Sequence, residues 1–293
     1  MKRAVALGFF DGVHIGHGAL LSKAKEIAGK EGLSPCVMTY SRHPSAVLSP
    51  KSVPLINTTE ERAFLIRALY GITDIVIKDF TKEYSELSPV EFFEKILLGE
   101  LSCAYVVAGF DFRFGKGGSG DKDMLLSLCK SHNIGCEIVP AVMCGGEPVS
   151  STRIRAHLAA GETDAANSLL GHPHCILSPV IHGQALGEKL GFPTANQAFD
   201  DTCQIPKSGV YISRVTVAGE TFRAITNIGR RPTVCDGFSV YAETHILGFS
   251  GDIYGEVMKT EFLRYLREEK KFSSREELCE QISQDVLSAM QEI

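Results

Sequence analysis

The segment Leu7–His17 places two histidines three residues apart at the start of a predicted helix. It reads LGFFDGVHIGH, with an apolar strand ending just before a turn at Asp11. The first N–H groups of a helix are unpaired and carry partial positive charge, so this position favours phosphate. His14 and His17 would add hydrogen-bond donors as charge moves in a transition state, and Gly16 lets backbone approach a ligand closely. The alternative is that both histidines only cap the helix. That explains one histidine well and the whole string poorly.

A second candidate phosphate cradle is the string SSTRIR at residues 150–155. Ser151 or Thr152 would cap a helix, and Arg153 and Arg155 would bring cations beside its free N–H groups. Taken alone, a string of this kind is more often an ordinary helix cap.

The segment Gly183–Asn196 reads GQALGEKLGFPTAN and predicts a glycine-rich loop around a phosphate chain. It is not a P-loop, because the GxxxxGK[ST] pattern is absent. Thr194 and Asn196 place two neutral oxygens two residues apart on one face of an extended segment. Such hard oxygen ligands suit Mg²⁺ carrying nucleotide phosphates. The alternative is a turn with a capping asparagine.

Glu243 lies in a predicted strand, VYAETHIL at residues 240–247. By alternation Tyr241, Glu243, His245 and Leu247 share one face of that strand. Glutamate is depleted in strands, so this carboxylate either serves a site or lies on a solvated face.

The N-terminal strings resemble, in order, the adenylyltransferase module of the bacterial bifunctional riboflavin kinase/FAD synthetases, which is one of the HxGH nucleotidylyltransferases. Two further matches are YSRHP at residues 40–44 and AGFDFRFGKGGSGD at residues 108–121. The resemblance implies catalytic roles for His14 and His17. It implies ATP binding by Gly8, Phe9, Asp11, Gly16, Ser151, Thr152, Arg153 and Arg155. It also implies a flavin and nucleotide pocket with His43, Asp111, Phe112 and Phe114.

The C-terminal strings closely resemble riboflavin kinases, which are six-stranded Greek-key barrels. NIGRRPT at residues 227–233 and FLRYLREEKKF at residues 262–272 add to the match. The resemblance implies that Thr194 and Asn196 bind Mg-ATP and that Glu243 is the general base for the ribityl hydroxyl. The implied ATP-binding residues of this loop are Gly183, Gly187, Lys189, Gly191, Thr194 and Asn196.

Two positions depart from the family pattern. Gly118 stands where the family usually has an arginine, and Lys116 is expected to supply that charge. Glu188 follows Gly187, where a basic residue is frequent. A carboxylate beside triphosphate is unfavourable, so Glu188 is expected to point outward while Lys189 compensates.

The elements that must position these residues change character along the chain. The first half alternates strand-like and helix-like segments, which predicts an α/β domain with a parallel, Rossmann-like sheet. After about residue 171 the chain becomes short strands broken by Gly and Pro, which favours a small all-β barrel followed by a C-terminal helix. The predicted domains are residues 1–171, an FMN adenylyltransferase, and residues 172–293, a riboflavin kinase.

Composition limits the other possibilities. The 293 residues are 44% hydrophobic and 22% charged, with a net charge of −5, which argues against broad nucleic-acid binding. No apolar run approaches the ~20 residues that span a bilayer, and MKRAVALGFF is interpreted as a first buried strand rather than a signal peptide. Nine scattered cysteines without a CxxC pair fit reduced cytoplasmic thiols, not a disulfide framework or a zinc site. The sequence carries no strong oligomer signal.

The leading hypothesis is therefore an ATP-dependent enzyme that converts riboflavin into FMN and FMN into FAD, with Mg²⁺ accompanying ATP. One alternative is a flavokinase whose adenylyltransferase half is impaired, which rests on Gly118. Others are a flavin- or nucleotide-binding regulator without turnover and an adenylyltransferase for another phosphate ester.

Overall fold

The computed structural model describes residues 1–48, 53–183, 187, 190–232 and 238–291. The chain forms two compact units, Met1–Ser151 and Thr152–Ile293. The division predicted from the sequence falls later, after residue 171, at the glycine that ends a helix. Among the described residues, no helix is both long and apolar enough to cross a membrane.

The first unit contains a five-stranded parallel sheet in the order β3-β2-β1-β4-β5. Its strands are β1 (Arg3–Leu7), β2 (Ser34–Tyr40), β3 (Asp74–Lys78), β4 (Cys103–Gly109) and β5 (Gly135–Val139). A small hairpin follows, made of β6 (Met143–Cys144) and β7 (Glu147–Pro148). The expectation of a parallel α/β sheet is confirmed.

The helices of this unit follow the strands in alternation. They are α1 (Ile15–Glu31), α2 (Pro44–Leu48), α3 (Thr59–Tyr70), α4 (Lys82–Ser85), α5 (Pro89–Glu91) and α6 (Lys122–Ser131). The residue pattern predicts a helix over Pro89–Leu98. The structure has α5 there, followed by a π-helix, Phe92–Glu100, which buries Phe92, Phe93, Ile96 and Leu97. β1 is almost wholly buried between β2 and β4, which confirms its interpretation as a core strand.

The sheet has a topological switch point beside β1. The chain leaves β1 for β2 on one side and later returns to β4 on the other. In parallel sheets, ligands bind beyond the carboxyl ends of the strands at such a point. The segments that follow β1, β2 and β4 contain the predicted histidines, the YSRHP string and the DFRFG string.

The second unit begins with α7 (Ser151–Ala160, whose first residue closes the first unit) and α8 (Thr163–Leu170). Six antiparallel strands follow in the order β8-β13-β10-β11-β12-β9. They are β8 (His174–Pro179), β9 (Ala195–Ala198), β10 (Gly209–Val217), β11 (Glu220–Pro232), β12 (Phe238–Ile246) and β13 (Val257–Arg267). The spatial order β13-β10-β11-β12 is a Greek key. The amide of Ile181 donates to the carbonyl of Asn196 at 2.8 Å and nearly closes the barrel, as predicted.

The C-terminal helix α9 (Arg275–Gln291) packs against the barrel. The spacing of Ser274 and Glu277 predicts a capping box in which the glutamate accepts from the amide of Ser274. The N-cap forms, since Ser274 Oγ accepts from the amide of Glu277 at 3.1 Å. The carboxylate of Glu277 completes the cap through the amide of Ser273 at 2.9 Å, one residue before the predicted partner.

Candidate active sites

The turn after β1 is strained. Phe10 and Val13 have φ angles of 59° and 44°, in the left-handed region that β-branched and bulky residues rarely adopt. Both side chains are fully buried, so core packing holds the turn in place. A Cβ on Gly8 would come within 3.0 Å of the Phe10 ring. Strain of this kind concentrates where a fold presents a functional segment.

The strained turn delivers His14 and His17 to the N-terminus of α1. His14 is the N-cap, and its Nδ1 accepts from the amide of His17 at 3.2 Å. The two imidazoles stack with their centroids 3.5 Å apart. Because Nδ1 of His14 accepts, a neutral His14 carries its proton on Nε2. A Cβ on Gly16 would lie 3.1 Å from the His14 ring, so this glycine makes room for the imidazole.

Asp11 is buried and braces the loop before α3. Its Oδ1 accepts from the amides of Ile56 at 2.7 Å and Asn57 at 3.4 Å, and its carbonyl accepts from Ser151 Oγ at 2.9 Å. These contacts give Asp11 a positioning role, and its predicted contact with ATP stays a prediction.

Two side chains meet the ring of Phe9. His43 makes an edge contact with a centroid distance of 4.7 Å, and the guanidinium of Arg62 lies 4.2 Å from the ring centroid. Arg62 is fully buried and donates to the carbonyl of Tyr40 at 2.6 Å. Sequence reasoning missed Arg62 as a residue of this site. An arginine one residue after the Thr58–Glu61 capping box is typical of a solvent-exposed helix position.

Burial, aided by the nearby His14 and Arg62, lowers the pKa of His17 well below its ordinary value. The Nδ1 atom of His17 is buried and has no hydrogen-bond partner among the described residues. His17 is therefore a neutral imidazole at neutral pH.

The segment after β4 separates the predicted pocket residues. Asp111 is exposed, while Phe114 is buried against Phe92 in the core and stacks with Phe112 at 5.8 Å. A pocket role for Phe114 stays a prediction, since its ring belongs to the core.

The departure at Gly118 has a backbone reason. Its φ is +65°, where any side chain would be strained. Lys116, expected to supply the missing charge, pairs with Glu86 at 2.5 Å, which raises the pKa of the lysine. The side chain nearest to the Gly118 position is Arg113, whose Cβ would lie 3.4 Å from an added Cβ.

The SSTRIR string opens α7, as expected, but the predicted N-cap is wrong. Ser151 and Thr152 are already helical residues, so neither is the cap. The hydroxyl of Ser151 is instead committed to the carbonyl of Asp11, and Arg155 donates to Thr152 Oγ1 at 3.1 Å. Arg153 lies on the first turn of the same helix.

The barrel carries two cavities that share one residue. A cavity of about 350 Å³ is lined by Glu243, Asn227, Phe192 and residues of α9, and one of about 520 Å³ by Asn196, Gly183 and Tyr254. Thr194 lines both cavities. A residue shared in this way suits group transfer between a molecule in one cavity and a molecule in the other.

A polar row crosses the barrel at the junction of the cavities. Glu243 on β12 pairs in register with Asn196 on β9 and with Asn227 on β11. The burial alternates along β12 as predicted, with Ala242 and Thr244 buried and Glu243 half-buried. Directly paired side chains lie about 5 Å apart, so the carboxylate has an amide neighbour on each side.

The short strand β9 is held firmly. Gln197 is fully buried and donates to the carbonyls of Met258 at 2.6 Å and Ser178 at 2.9 Å. Its Oε1 accepts from Thr260 Oγ1 at 2.7 Å. This network fixes the neighbouring Asn196 in place.

The glycine loop fits a phosphate-bound cation. A Cβ on Gly183 would lie 2.3 Å from Nδ2 of Asn196, so the loop has room for that amide only because residue 183 is glycine. The carbonyl of Gly187 accepts from the amide of Phe192 at 2.8 Å, and Gly191 adopts φ +83°. Thr194 and Asn196 are neutral oxygen donors of the type that Mg²⁺ accepts, so the residues fit the predicted ion. Glu188 and Lys189 lie outside the described residues.

Comparisons with known proteins cover both units. The FAD synthetase family matches residues 1–153, and the riboflavin kinase family matches residues 170–293. A bifunctional riboflavin kinase/FMN adenylyltransferase from Listeria monocytogenes is 38% identical over 287 residues, which are 97% of this chain and 90% of the relative. The Bacillus subtilis protein of the same name is 37% identical, over 99% of this chain and 92% of its own length.

A solved structure agrees at the level of the fold. The crystal structure of a macrolide-efflux protein from Streptococcus pneumoniae has a TM-score of 0.88 and 31% identity, and it covers 100% of this chain and 95% of its own. With both family matches and relatives of this similarity over nearly the full length, the chain belongs to the bifunctional riboflavin kinase/FMN adenylyltransferase family.

Proposed function

We propose that this chain phosphorylates riboflavin to FMN in the barrel and adenylylates FMN to FAD in the N-terminal unit, with ATP as the second substrate of both reactions. The observation that carries the proposal is the polar row on the barrel. A carboxylate there lines one cavity and pairs in register with an asparagine that lines the other.

In the kinase reaction, riboflavin occupies the cavity of Glu243 and ATP the cavity of Asn196. Glu243 takes the proton of the terminal ribityl hydroxyl as that oxygen bonds to the γ-phosphorus, and the bond from that phosphorus to ADP breaks. Thr194 and Asn196 would hold Mg²⁺, which neutralises charge on the phosphates. The chain contributes mainly positioning, as in other phosphoryl transfers.

In the adenylyl transfer, a phosphate oxygen of FMN bonds to the α-phosphorus of ATP, and pyrophosphate leaves. His14 donates from Nε2 to the phosphate oxygens at the start of α1, where the helix dipole adds to the attraction. The neutral His17 supports the His14 ring by stacking. Phe9, which contacts His43 and Arg62, forms the adjoining wall of the proposed site for FMN and ATP.

The test is to incubate the purified chain with riboflavin and Mg-ATP and to separate the flavins by chromatography. Glu243→Ala is expected to abolish FMN formation and to retain conversion of added FMN into FAD. His17→Ala is expected to do the reverse. Glu220→Ala, an exposed glutamate at the start of β11, is the control that keeps both activities.

Each outcome has a distinct meaning. If no FMN forms with the unaltered chain, the proposal is wrong. FMN without FAD would indicate the kinase-only alternative. If either substitution removes both activities, the assignment of two separate sites is wrong.

The proposed compartment is the cytoplasm. Both reactions consume ATP, and the scattered cysteines are typical of a reducing compartment. The proposed partners are only the substrates and products, namely riboflavin, FMN, FAD and ATP.

A further inference from the structure

The side-chain amide of Asn227 has one hydrogen-bonded end, its nitrogen, and one end without a partner among the described residues, its oxygen. It lies on β11, pairs in register with Glu243, and lines the same cavity of about 350 Å³. Its Nδ2 donates to Oε1 of Glu269 at 3.1 Å. A carboxylate only accepts, so the nitrogen of this amide must face Glu269 and the oxygen must face away from it.

The oxygen end has no matching contact. Oδ1 of Asn227 is shielded from water, and it has no hydrogen-bond partner among the described residues. Buried carbonyl oxygens nearly always have a partner, so an orphaned one on a cavity wall indicates a ligand that brings a donor.

The neighbouring glycine preserves this arrangement. A Cβ on Gly229 would lie 2.8 Å from Oε1 of Glu269 and 3.3 Å from Nδ2 of Asn227. Gly229 is two residues after Asn227 and therefore on the same face of β11. The N-x-G spacing thus leaves room for the amide–carboxylate pair.

The cations that line the cavity are engaged elsewhere. Arg267 donates to Asp285 at 2.6 Å and to the carbonyl of Glu268 at 3.0 Å. Lys270 donates to Gln281 at 3.3 Å. Within the described part of the chain, these two cations supply no donor for Asn227, and a molecule that fills the cavity can supply one.

We propose that Oδ1 of Asn227 accepts a hydrogen bond from an inner hydroxyl of the ribityl chain of riboflavin, and that Glu269 positions the amide for this contact. The proposal rests on the proposed riboflavin kinase function. Glu243 must reach the terminal hydroxyl, and Asn227 lies one strand away, at about 4.8 Å. That distance is a short stretch of a five-carbon polyol, so the inner hydroxyls are the donors within reach. Asn227 would then select a flavin with a polyol chain over a flavin without one.

The test uses the full chain and riboflavin analogues that each lack one inner ribityl hydroxyl. Asn227→Ala is expected to raise the KM for riboflavin about tenfold, as for the loss of a neutral hydrogen bond, with a smaller change in kcat. For the analogue that lacks the contacted hydroxyl, the KM should be the same in both proteins. Inhibition by lumiflavin, which has no polyol chain, should be unchanged.

Two further variants separate recognition from stability. Glu269→Gln can donate as well as accept, so the Asn227 amide can flip, and the KM for riboflavin should rise in part. Asn167→Ala removes a satisfied amide outside the cavity, which donates to the carbonyl of Phe262 at 2.9 Å and accepts from the amide of His174 at 2.8 Å. Asn167→Ala should lower the melting temperature, and any change in KM should be the same for riboflavin and for every analogue.

The inference is overturned if Asn227→Ala raises the KM for riboflavin, the KM for every analogue and the inhibition constant of lumiflavin by the same factor, or leaves all of them unchanged. Thermal unfolding followed by circular dichroism reports whether the barrel of each variant is folded. If the unaltered chain makes no FMN, the proposed function fails instead, and the two failures are distinguishable.

Discussion

The two histidines at the start of α1 differ in the contacts that hold their rings. His14 is fixed by the hydrogen bond that its Nδ1 accepts, while His17 is held neutral by burial, by His14 and by the positive charge of Arg62. The chemistry of this helix start is therefore set partly by an arginine 45 residues further along the chain.

Substitution of Arg62 should make this effect measurable. Arg62→Leu removes a buried positive charge that faces His17, so the protonated imidazole becomes less unfavourable and the pKa of His17 should rise. The measurement is an NMR titration of the histidine ring protons. Arg62→Lys keeps the charge and should keep the pKa low.

Arg67→Leu is the matched control for that titration, because Arg67 is exposed on the same helix α3. It should leave the pKa of His17 where it is. An unchanged pKa in Arg62→Leu would contradict the electrostatic role of Arg62.

Residue types and spacing predicted where much of this site lies in the fold, but not the hydrogen bonds and ring contacts that hold it. His14, His17 and Gly16 lie at the helix start where the sequence placed them. The bracing role of Asp11 depends on backbone amides 45 and 46 positions away, and no local pattern reports such contacts. The burial of Arg62 depends on the ring of Phe9, which is also distant in sequence.

Within α1, two glycines offer a comparison of function with helix propensity. A Cβ on Gly16 would press on the His14 ring at 3.1 Å, whereas a Cβ on Gly29 would meet nothing within 4 Å. Gly16→Ala should displace the imidazole and lower FAD formation from FMN about tenfold or more, since small displacements at a reacting centre are costly. FMN formation from riboflavin should not change.

Gly29→Ala is the control in the same helix. It should stabilise the N-terminal unit by about 0.5–1 kcal/mol, because alanine loses less conformational freedom than glycine, and it should keep both activities. The measurements are denaturant unfolding and flavin chromatography. Equal losses of FAD formation in both variants would show that helix α1, rather than the His14 ring, is the sensitive feature.

Helix α9 is tied to the barrel by a buried ion pair. Arg267 at the end of β13 makes a bidentate contact with Asp285, with distances of 2.6 and 3.0 Å, and the aspartate side chain is only 5% exposed. Both residues line the proposed riboflavin cavity. The pair therefore sets one wall of that cavity.

Asp285→Ala leaves the buried guanidinium without its carboxylate and should cost about 3–5 kcal/mol of unfolding free energy. FMN formation should fall with it, because the cavity wall is no longer anchored. Thermal unfolding followed by circular dichroism gives the loss. Glu26→Gln, which removes an exposed partner of Lys23 and Lys30, should produce no measurable change. A similar melting temperature for the two variants would contradict the anchoring role.

Among the elements, alternation and apolar runs predicted most strands. The two-residue strands β6 and β7 were missed, and two strands of the barrel were missed for physical reasons. β9 has only four residues and is stabilised by the side chain of Gln197 rather than by an apolar run. β13 carries Lys259, Glu261 and Arg264 on one face, which hides the apolar alternation of Met258, Thr260 and Phe262 on the other. Both strands are held by partners distant in sequence, which a local pattern does not contain.

At the scale of the whole molecule, we propose that the two units bind phosphate by different means. The parallel sheet places a helix N-terminus beyond its carboxyl edge, and the barrel uses a glycine-rich loop between two cavities. The sequence predicted both devices because each depends on a contiguous string. It did not predict the cross-strand row of Asn196, Glu243 and Asn227, because register between distant strands is a property of the assembled barrel.

A buried histidine, His174, should make the unfolding free energy of the barrel depend on pH. His174 is buried at the start of β8, and neither ring nitrogen has a hydrogen-bond partner among the described residues. Burial, with a smaller effect of the nearby His172, lowers the pKa of His174 to about 3. In the unfolded chain the same group has a pKa of about 6.5.

Between these two values the unfolded state binds a proton that the folded state does not, so the unfolding free energy falls as the pH falls. From pH 7.5 to pH 5.5 this residue should remove about 1.4 kcal/mol from the stability of the barrel. His174→Leu fills a similar volume without a titrating group, so that part of the loss should vanish. Denaturant unfolding of both proteins at the two pH values measures the difference. If both proteins lose the same unfolding free energy between the two pH values, the prediction is wrong. His174 would then be protonated in the folded barrel or exposed to water.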